Sequence, residues 1–196
     1  MRLFVAIDPP PAALEHLAAL VDDLGTVRAG VRVTARSLWH VTLAFLGEVP
    51  EDRLPRVIAA VDRAVDTGPT GTRLRLAGGG RFGRGRFTIL WAGMDGDLVP
   101  LRKAATRALK SRRLAFDDQK FHPHLTLARP GDKVPREVIA ADLAALADYA
   151  GPQWTVDRLV LYRSHLGPRP SYEPLHVAPI PPTGPRPDRR AGSVLT

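Results

Sequence analysis

An internal repeat limits the folds that this chain can adopt. The stretch HVTLA begins at His40 and the similar HLTLA begins at His124, so the two lie 124 minus 40, or 84, residues apart. The preceding segments recur at the same spacing, with Arg86 in the place of Arg2. One period of this length, present twice, is too long for a solenoid unit. It predicts two similar lobes related by a pseudo-two-fold axis.

Each half shows the same order of elements when its hydrophobic periodicity is followed. In the first half the order is strand, helix, strand, helix and strand, at 2–7, 9–24, 38–46, 51–66 and 72–77. In the second half the same order falls at 86–93, 97–112, 124–129, 130–146 and 154–164. This pattern predicts an α+β fold with two mostly antiparallel sheets, outer helices and a central cleft.

We expect residues 1–178 to form a single bilobal domain, in which two intertwined repeats carry motifs at 40–42 and 124–126. Residues 179–196 are rich in proline and basic side chains and contain few apolar ones. Such a composition buries too little apolar surface to fold, so this segment is predicted to be a disordered basic tail.

Composition excludes several kinds of chemistry. The chain of 196 residues contains no cysteine, which rules out disulfides, zinc–thiolate sites, iron–sulfur clusters and cysteine nucleophiles. The net charge of +8 permits a polyanionic partner, although an arginine-rich composition accounts for much of it. The N-terminal apolar run, Leu3 to Ile7, is too short for a signal peptide or a membrane span. We therefore expect a soluble, cytoplasmic protein without a membrane partner.

The repeated motif carries the candidate chemistry. Side chains alternate along a strand, so His40 and Thr42 share one face, and His124 and Thr126 share the equivalent face. Two lobes can bring these pairs together across a cleft. One neutral imidazole can then take a proton from an attacking water while the other, as imidazolium, protonates the leaving oxygen. The threonine hydroxyls would bind the non-bridging phosphate oxygens, and no metal or other cofactor is needed.

Two other interpretations compete with catalysis. A single histidine in a strand is usually structural, but two copies of the motif at the spacing of the surrounding elements favour a site. A metal site is the second alternative, because His122 and His124 form an H-x-H pair. His122 has no counterpart in the first half, where Leu38 takes its place, and no carboxylate lies near either motif. We therefore interpret His122 as structural and expect no metal.

Four segments carry a family resemblance: RLFVAID at the start, HVTLAFLGEV, LWAGM and FHPHLTLAR. Paired H-x-T motifs in a duplicated strand–helix scaffold resemble the 2H phosphoesterase superfamily. The segments resemble in particular its bacterial and archaeal RNA 2′,3′-cyclic phosphodiesterases of the ThpR/LigT type, first named 2′-5′ RNA ligases. The resemblance runs from residue 2 to about residue 178, where LYRSHLGPRPSYEPL is similar to the family's closing strand and turn.

The resemblance implies a bilobal fold and hydrolysis of an RNA-terminal 2′,3′-cyclic phosphate to a 2′-phosphate. It also implies a slow, reversible, ATP-independent ligation that forms 2′-5′ bonds. On this pattern His40 is the acid that protonates the leaving 3′ oxygen and His124 is the base that activates water. The pseudo-symmetry leaves the opposite division of labour open. Thr42 and Thr126 would hold the phosphate.

Further contacts are predicted around this motif. Arg129 resembles the basic residue that follows the motif in the family, but it lies five residues beyond His124 and reaches the cleft only if the strand ends or bulges near Ala128. Tyr172 and Ser164 in the closing segment line the cleft on the resemblance alone. The glycine-rich stretch GGGRFGRGRF lacks P-loop spacing, and its arginines predict a mobile basic loop that guides RNA by charge.

The predicted partner is RNA with 2′,3′-cyclic phosphate ends, such as tRNA fragments or oligonucleotides, acted on by a monomer. Two alternatives remain. One is a 2H enzyme for a small cyclic nucleotide or an ADP-ribose cyclic phosphate. The other is a non-catalytic protein that binds RNA ends, although binding alone does not need a pair of proton-transfer groups.

Overall fold

Two antiparallel sheets, with helices packed against them, make up the chain in a computed structural model that describes residues 1–182. The strands are β1 (Arg2–Ile7), β2 (Arg32–Val33), β3 (Val41–Glu48), β4 (Arg73–Phe82), β5 (Ile89–Asp95), β6 (His124–Arg129), β7 (Trp154–Thr155), β8 (Arg158–His165) and β9 (Ser171–Pro179). The helices are α1 (Pro11–Asp23), α2 (Gly25–Arg28), α3 (Leu54–Thr67), α4 (Val99–Ser111) and α5 (Arg136–Ala147). The predicted α+β fold is confirmed.

The two halves exchange strands. The first sheet has the order β3-β1-β8-β9, and the second has the order β2-β6-β5-β4-β7. Strand β4 belongs to the first half in sequence but pairs with β5, whereas β8 belongs to the second half and pairs with β1. Apart from β2 at its edge, the second sheet therefore repeats the order of the first. Helices α3 and α4 pack on the first sheet and α5 packs on the second.

Strand pairing corrects the spacing of the repeat. Ala44 on β3 faces Val5 on β1, and Ala128 on β6 faces Leu90 on β5. The second strands of the two halves are thus 128 minus 44, or 84, residues apart, while the first strands are 90 minus 5, or 85, apart. Matching Arg86 to Arg2 was wrong by one residue, because the 3₁₀ turn at Gly85–Phe87 delays the start of β5.

The alternation predicted for the motif strands places leucine in the core and threonine outside it. Leu125 and Leu127 are 0% exposed and Leu43 is 2% exposed, whereas Thr42 and Thr126 are only partly buried. Each buried leucine contributes about 1.5–3 kcal/mol to folding. A shift of one residue in either strand would move these leucines into the cleft, so the core fixes the register of the motif.

Strand β4 is longer than the predicted 72–77, because the glycine-rich residues that follow Ala77 are also part of the strand. A Cβ on Gly79 would lie 2.7 Å from the carbonyl oxygen of Trp91 and 2.8 Å from Cβ of Leu146, and a Cβ on Gly80 would lie 2.6 Å from the Trp91 indole. Glycine is disfavoured in strands on average, but here it lets α5 and an indole pack directly against the backbone.

The C-terminal part of the fold differs most from the prediction. Strand β9 was predicted only through the resemblance, and it extends to Pro179. Ile180 is 7% exposed and its N–H donates to the carbonyl of Asp157 at 2.7 Å. Folded structure therefore continues beyond residue 179, the predicted start of the tail. The remainder of the predicted tail, residues 183–196, lies outside the described residues. Across residues 1–182, none of the helices has the length and apolar character needed to cross a membrane.

One buried carboxylate connects helices α2 and α5. Asp142 on α5 is 4% exposed and accepts hydrogen bonds from the backbone N–H groups of Gly25 and Thr26, both at 2.8 Å. These donors belong to the first turn of α2, which has no side-chain N-cap of its own. Asp142 therefore fixes the segment that leads into β2.

Asp142→Ala should lower the free energy of unfolding by about 3 kcal/mol or more, because two N–H groups lose a charged acceptor worth roughly 1.5–3 kcal/mol each. Urea unfolding followed by circular dichroism measures the change. Asp52→Ala, at an exposed position, should change the free energy of unfolding by about 0.5 kcal/mol or less. Equal effects of the two substitutions would contradict this assignment.

Candidate active site

A cleft with a cavity of about 610 Å³ brings the two motifs together. Strand β3 of the first sheet and strand β6 of the second sheet contribute opposite walls. The sequence-predicted residues that line the cavity are His40, Thr42, His124, Thr126, Arg129 and Tyr172. Ser164 pairs with Tyr172 across β8 and β9 and so shares its face of the sheet, but it does not line the cavity.

Each motif histidine is oriented by the backbone just before its strand. Nδ1 of His40 donates to the carbonyl of Leu38 at 2.8 Å, and Nδ1 of His124 donates to the carbonyl of His122 at 2.7 Å. A carbonyl only accepts, so Nδ1 carries the proton in the neutral ring and Nε2 carries the lone pair. Both imidazoles are thereby held in the tautomer that leaves Nε2 for proton transfer.

The two threonines are not equivalent. Oγ1 of Thr42 lies 3.0 Å from Nε2 of His40, so its hydroxyl donates to the neutral imidazole. Thr126 forms no side-chain hydrogen bond with any residue in the described part of the chain. The pseudo-two-fold axis thus relates the positions of these side chains but not their hydrogen bonds.

Burial lowers the pKa of both histidines. For His40, the hydrogen bond to Leu38 and the charge of Asp8 act in the opposite direction, and the charge of His124 adds to the lowering. For His124, the hydrogen bond to His122 opposes the lowering and the charge of the His122 ring adds to it. The neutral form of each ring is therefore favoured, and only His40 has a carboxylate that supports its charged form among the causes of its shift.

Aromatic rings bury His40. Phe4 lies 4.8 Å from the His40 ring, and Tyr172 meets that ring edge-on at 5.0 Å. Tyr162 stacks on Phe4 at 5.3 Å and its hydroxyl donates to Asp8 at 2.8 Å. This cluster explains both the desolvation of His40 and the position of the carboxylate that opposes it.

A second aromatic group stands beside His124. The Phe82 ring meets the His124 ring edge-on at 4.8 Å, and the His122 ring packs on Trp91 at 4.5 Å. His122 therefore takes part in ring packing and uses its backbone carbonyl to orient His124. Within residues 1–182, no group of three or more His, Asp or Glu side chains is placed to hold a metal ion.

A β-bulge brings Arg129 to the cleft. The residues opposite Thr126 and Ala128 on β5 are consecutive, so Leu127 is the extra residue, and Leu127 and Ala128 are both buried. The bulge shifts the alternation of side chains by one residue, so Arg129 lies on the same face as Thr126. This is the condition under which the sequence analysis expected Arg129 to reach the cleft. Burial raises the pKa of Tyr172 on the first sheet, and the charges of Arg129 and Arg2 act in the opposite direction.

The same bulge occurs in the first half. The residues opposite Thr42 and Ala44 on β1 are also consecutive. The position equivalent to Arg129 is held by Phe45, because 129 minus 84 is 45, and the guanidinium of Arg2 covers its ring at 4.6 Å. Both halves therefore contain the same β-bulge, but the residue that follows it is Phe45 in the first half and Arg129 in the second.

Two arginines that the sequence analysis did not identify also line the cleft. Arg32 lies on β2, which pairs with β6 opposite Arg129, and Arg169 lies in the loop between β8 and β9. A two-residue strand and a hairpin loop leave no periodic pattern in the sequence, so no signal marked these positions. No carboxylate is among the described residues that line the cavity, and the cleft is strongly cationic.

Comparison with known proteins places the chain in a family. A family model described as the 2′-5′ RNA ligase superfamily matches residues 9–168. The chain belongs to this superfamily. The match confirms the family predicted from the paired motifs and the prediction that the chain is an enzyme.

Curated relatives in this superfamily are named RNA 2′,3′-cyclic phosphodiesterase. The Thermus thermophilus relative is 34% identical over 182 residues, covering 86% of this chain and 84% of the relative. The Escherichia coli relative is 34% identical over 131 residues, covering 65% of this chain and 71% of the relative. A Geobacillus stearothermophilus relative is 34% identical over 147 residues, but the match spans 72% of this chain and only 45% of that longer protein.

Solved structures show the same architecture. A crystal structure of a Thermus thermophilus protein matches with a TM-score of 0.73 at 29% identity, covering 94% of this chain and all of the other. Escherichia coli LigT complexed with 3′-AMP matches with a TM-score of 0.67 at 26% identity, covering 91% of this chain and 96% of LigT. These two solved structures therefore share the overall fold of this chain.

Nitrogen-15 NMR at pH 8 should show Nδ1 protonated and Nε2 unprotonated for both His40 and His124, because each Nδ1 donates to a carbonyl. As the pH falls, both rings should titrate with midpoints below the ordinary value of 6.5, since burial disfavours the imidazolium form. An Nε2–H tautomer, or a midpoint above 6.5 for either ring, would contradict the geometry of the site.

Proposed function

We propose that this chain hydrolyses the 2′,3′-cyclic phosphate at RNA ends to a 2′-phosphate without a metal ion. One observation carries the proposal: His40 and His124, on different sheets, face a single cationic cavity with Nε2 of each available for proton transfer. The relatives that are named RNA 2′,3′-cyclic phosphodiesterase support the same reaction.

The reaction uses the two imidazoles in opposite protonation states. Nε2 of His124 takes a proton from water as the water oxygen bonds to phosphorus. The bond between phosphorus and the 3′ oxygen breaks, and Nε2–H of His40 gives its proton to that oxygen. The products are a 2′-phosphate and a 3′ hydroxyl, and each proton transfer of this kind contributes about 10²–10⁴ in rate.

Burial lowers the pKa of both rings and opposes the charged form of each, whereas the neighbouring charges favour this division of labour. Asp8 favours the charged form of His40, the proposed acid, whereas the neighbouring His122 ring disfavours the charged form of His124, the proposed base. The Tyr162 hydroxyl donates to Asp8 and holds that carboxylate in place. The substrate phosphate carries a negative charge, which further favours the imidazolium of the acid once it is bound.

The phosphate is held by hydroxyls and guanidinium groups in this proposal. When His40 is protonated, Nε2 no longer accepts from the Thr42 hydroxyl, so that hydroxyl can donate to a phosphate oxygen while Nε2–H turns to the leaving oxygen. Thr126 donates to another oxygen, and Arg129 balances the charge that develops on the equatorial oxygens. Arg32 and Arg169 extend this cationic surface.

Tyr172 and Ser164 have smaller roles in this proposal. Tyr172 forms the wall beside His40, and Ser164 lies next to it on β8.

The same site geometry accommodates ligation. A 5′ hydroxyl in the place of water would form a 2′-5′ bond by the same proton transfers. Cleavage of the cyclic phosphate supplies the free energy, so ATP is not required. RNA fragments with cyclic ends are the proposed partners of a monomeric enzyme.

The wild type should open the cyclic phosphate of a short RNA in the presence of EDTA and leave a 2′-phosphate. His40→Ala and His124→Ala should each lower kcat at least about 10²-fold, because each removes one proton-transfer group. Phosphorus-31 NMR of the product identifies the phosphate position, and circular dichroism checks that each variant folds.

Each outcome of that experiment has a clear meaning. Full turnover by either histidine variant would contradict the mechanism, and loss of wild-type activity in EDTA would favour a metal site. A 3′-phosphate product would contradict the proposed direction of cleavage. Turnover of 2′,3′-cyclic AMP but not of RNA would favour the small-nucleotide alternative, and binding of RNA ends without turnover would favour the non-catalytic one. His16→Ala, on α1 outside the cleft, is the matched control and should keep wild-type kcat.

The pH dependence of kcat/KM should be bell-shaped with a maximum below pH 6.5. Activity requires one imidazole to be protonated and the other to be neutral, so the maximum lies between the two pKa values of the free enzyme. Burial lowers both of these pKa values from 6.5, which moves the whole profile toward acid pH. Initial rates at low substrate concentration measure the profile, and a maximum above pH 7 would contradict the assignment.

A further inference from the structure

A second cavity, of about 630 Å³, lies against the opposite face of the second sheet from His124. Arg81 lines this cavity, and its neighbour Phe82 points to the cleft, because successive side chains of a strand alternate. The loop between β4 and β5, the segment before α5 and the first half of α5 surround it. We call it the arginine pocket; it is lined by Arg81, Arg84, Thr88, Asp132, Arg136 and Leu143, among others.

The cations of the arginine pocket are not paired with carboxylates of the described residues, although Arg81 donates to the carbonyl of Gly83 at 3.0 Å. Within residues 1–182, none of Arg81, Arg84 and Arg136 forms an ion pair with a carboxylate. Asp132 lines the pocket but takes part in no ion pair with a described residue either. Three guanidinium groups against one carboxylate leave the pocket with a net positive charge, and all three side chains are exposed, so a ligand can reach them.

The inner part of the pocket also offers unused hydrogen-bond donors. Thr88 lines the pocket and is 3% exposed, yet its hydroxyl forms no hydrogen bond with any described residue. Helix α5 begins at Arg136 after Pro135 and has no side-chain N-cap, so the N–H groups of Arg136, Glu137 and Val138 have no partner within residues 1–182. A phosphate group is the ligand that helix N-termini and arginines bind together.

The loop beside the pocket carries an exposed aromatic ring. Phe87 is 67% exposed, and the guanidinium of Arg86 lies 4.8 Å from its ring centroid. Exposed aromatic rings interleaved with arginines are typical of surfaces that bind single-stranded nucleic acid, in which bases stack on the ring and phosphates pair with the cations. The pocket and the ring together therefore favour RNA over an isolated anion.

A short segment joins the pocket to the catalytic cleft. Arg129 lines the cleft and Gly131 lines the pocket, so the two are only two positions apart in the chain, or roughly 7 Å of extended backbone. An RNA strand whose cyclic end is fixed between the two histidines can pass around this end of β6. Its next phosphates would then meet the arginines of the pocket.

We propose that the arginine pocket and Phe87 bind the substrate RNA on the 5′ side of its cyclic phosphate end. This inference rests on the proposed function, because it identifies the substrate as an RNA strand of several nucleotides. Phosphates contact Arg84, Arg136 and the first turn of α5, and a base stacks on Phe87. A cyclic mononucleotide fills only the cleft and does not reach this surface.

The test compares long and short substrates in the double variant Arg84→Gln/Arg136→Gln. For a 12-nucleotide RNA with a cyclic phosphate end, kcat/KM should fall about tenfold or more through KM, with kcat unchanged. For 2′,3′-cyclic AMP, kcat/KM should stay at the wild-type value. Arg56→Gln/Arg63→Gln removes the same charge from exposed positions on α3, outside both cavities, and should change neither substrate's kcat/KM by more than about twofold.

Direct binding provides a second readout that does not depend on turnover. Fluorescence anisotropy with a 12-nucleotide RNA ending in a 2′-phosphate gives the salt dependence of the affinity. Loss of two phosphate contacts should reduce the slope of log K against log salt by about 1.4, at about 0.7 per contact for a single strand. Phe87→Ala should weaken binding about tenfold with the slope unchanged, because stacking releases no counterions.

The outcomes separate this inference from the proposed function. An equal fall on both substrates, or no change with the long RNA, would overturn the inference while leaving the phosphodiesterase activity established. If the wild type cleaves neither substrate, the proposed function fails, and the change in salt slope still decides whether the pocket binds RNA. An unchanged slope in Arg84→Gln/Arg136→Gln would overturn the inference in either case.

Discussion

The cleft exists because each half of the chain completes the sheet of the other half. Strands β4 and β8 leave their own halves and pair with β5 and β1 across the molecule. The two sheets are therefore tied together by continuous backbone on both sides. This exchange of strands holds His40 and His124 on two walls that face the same cavity.

Backbone irregularities do the finer positioning. The carbonyl two residues before each motif histidine fixes the ring and its tautomer, and one bulge in each motif strand resets the alternation of side chains. Carbonyls of Leu38 and His122 perform the same task although their side chains have nothing in common. The His122 ring itself packs against Trp91.

Much of the fold and the centre of the site could be predicted from the sequence. The repeated motif indicated two similar halves, and the alternation of side chains along a strand indicated which residues share a face. His40, Thr42, His124 and Thr126 followed from both, and Arg129 followed on the condition of a bulge. Contacts from elements without periodicity could not be predicted in this way. Arg32 comes from a two-residue strand, Arg169 from a hairpin loop, and the length of β4 depends on glycines that only the packed neighbours explain.

The matching bulges of β3 and β6 have a consequence for the direction of the reaction. A perfectly two-fold site would accept the phosphate in either of two orientations, and half of the bound molecules would present the wrong oxygen to the acid. Phe45 holds the position that Arg129 holds in the other half, and Arg2, which covers the Phe45 ring, is not among the described residues that line the cavity. Duplication supplied the pair of histidines, and divergence at this position makes the two walls of the cleft unlike.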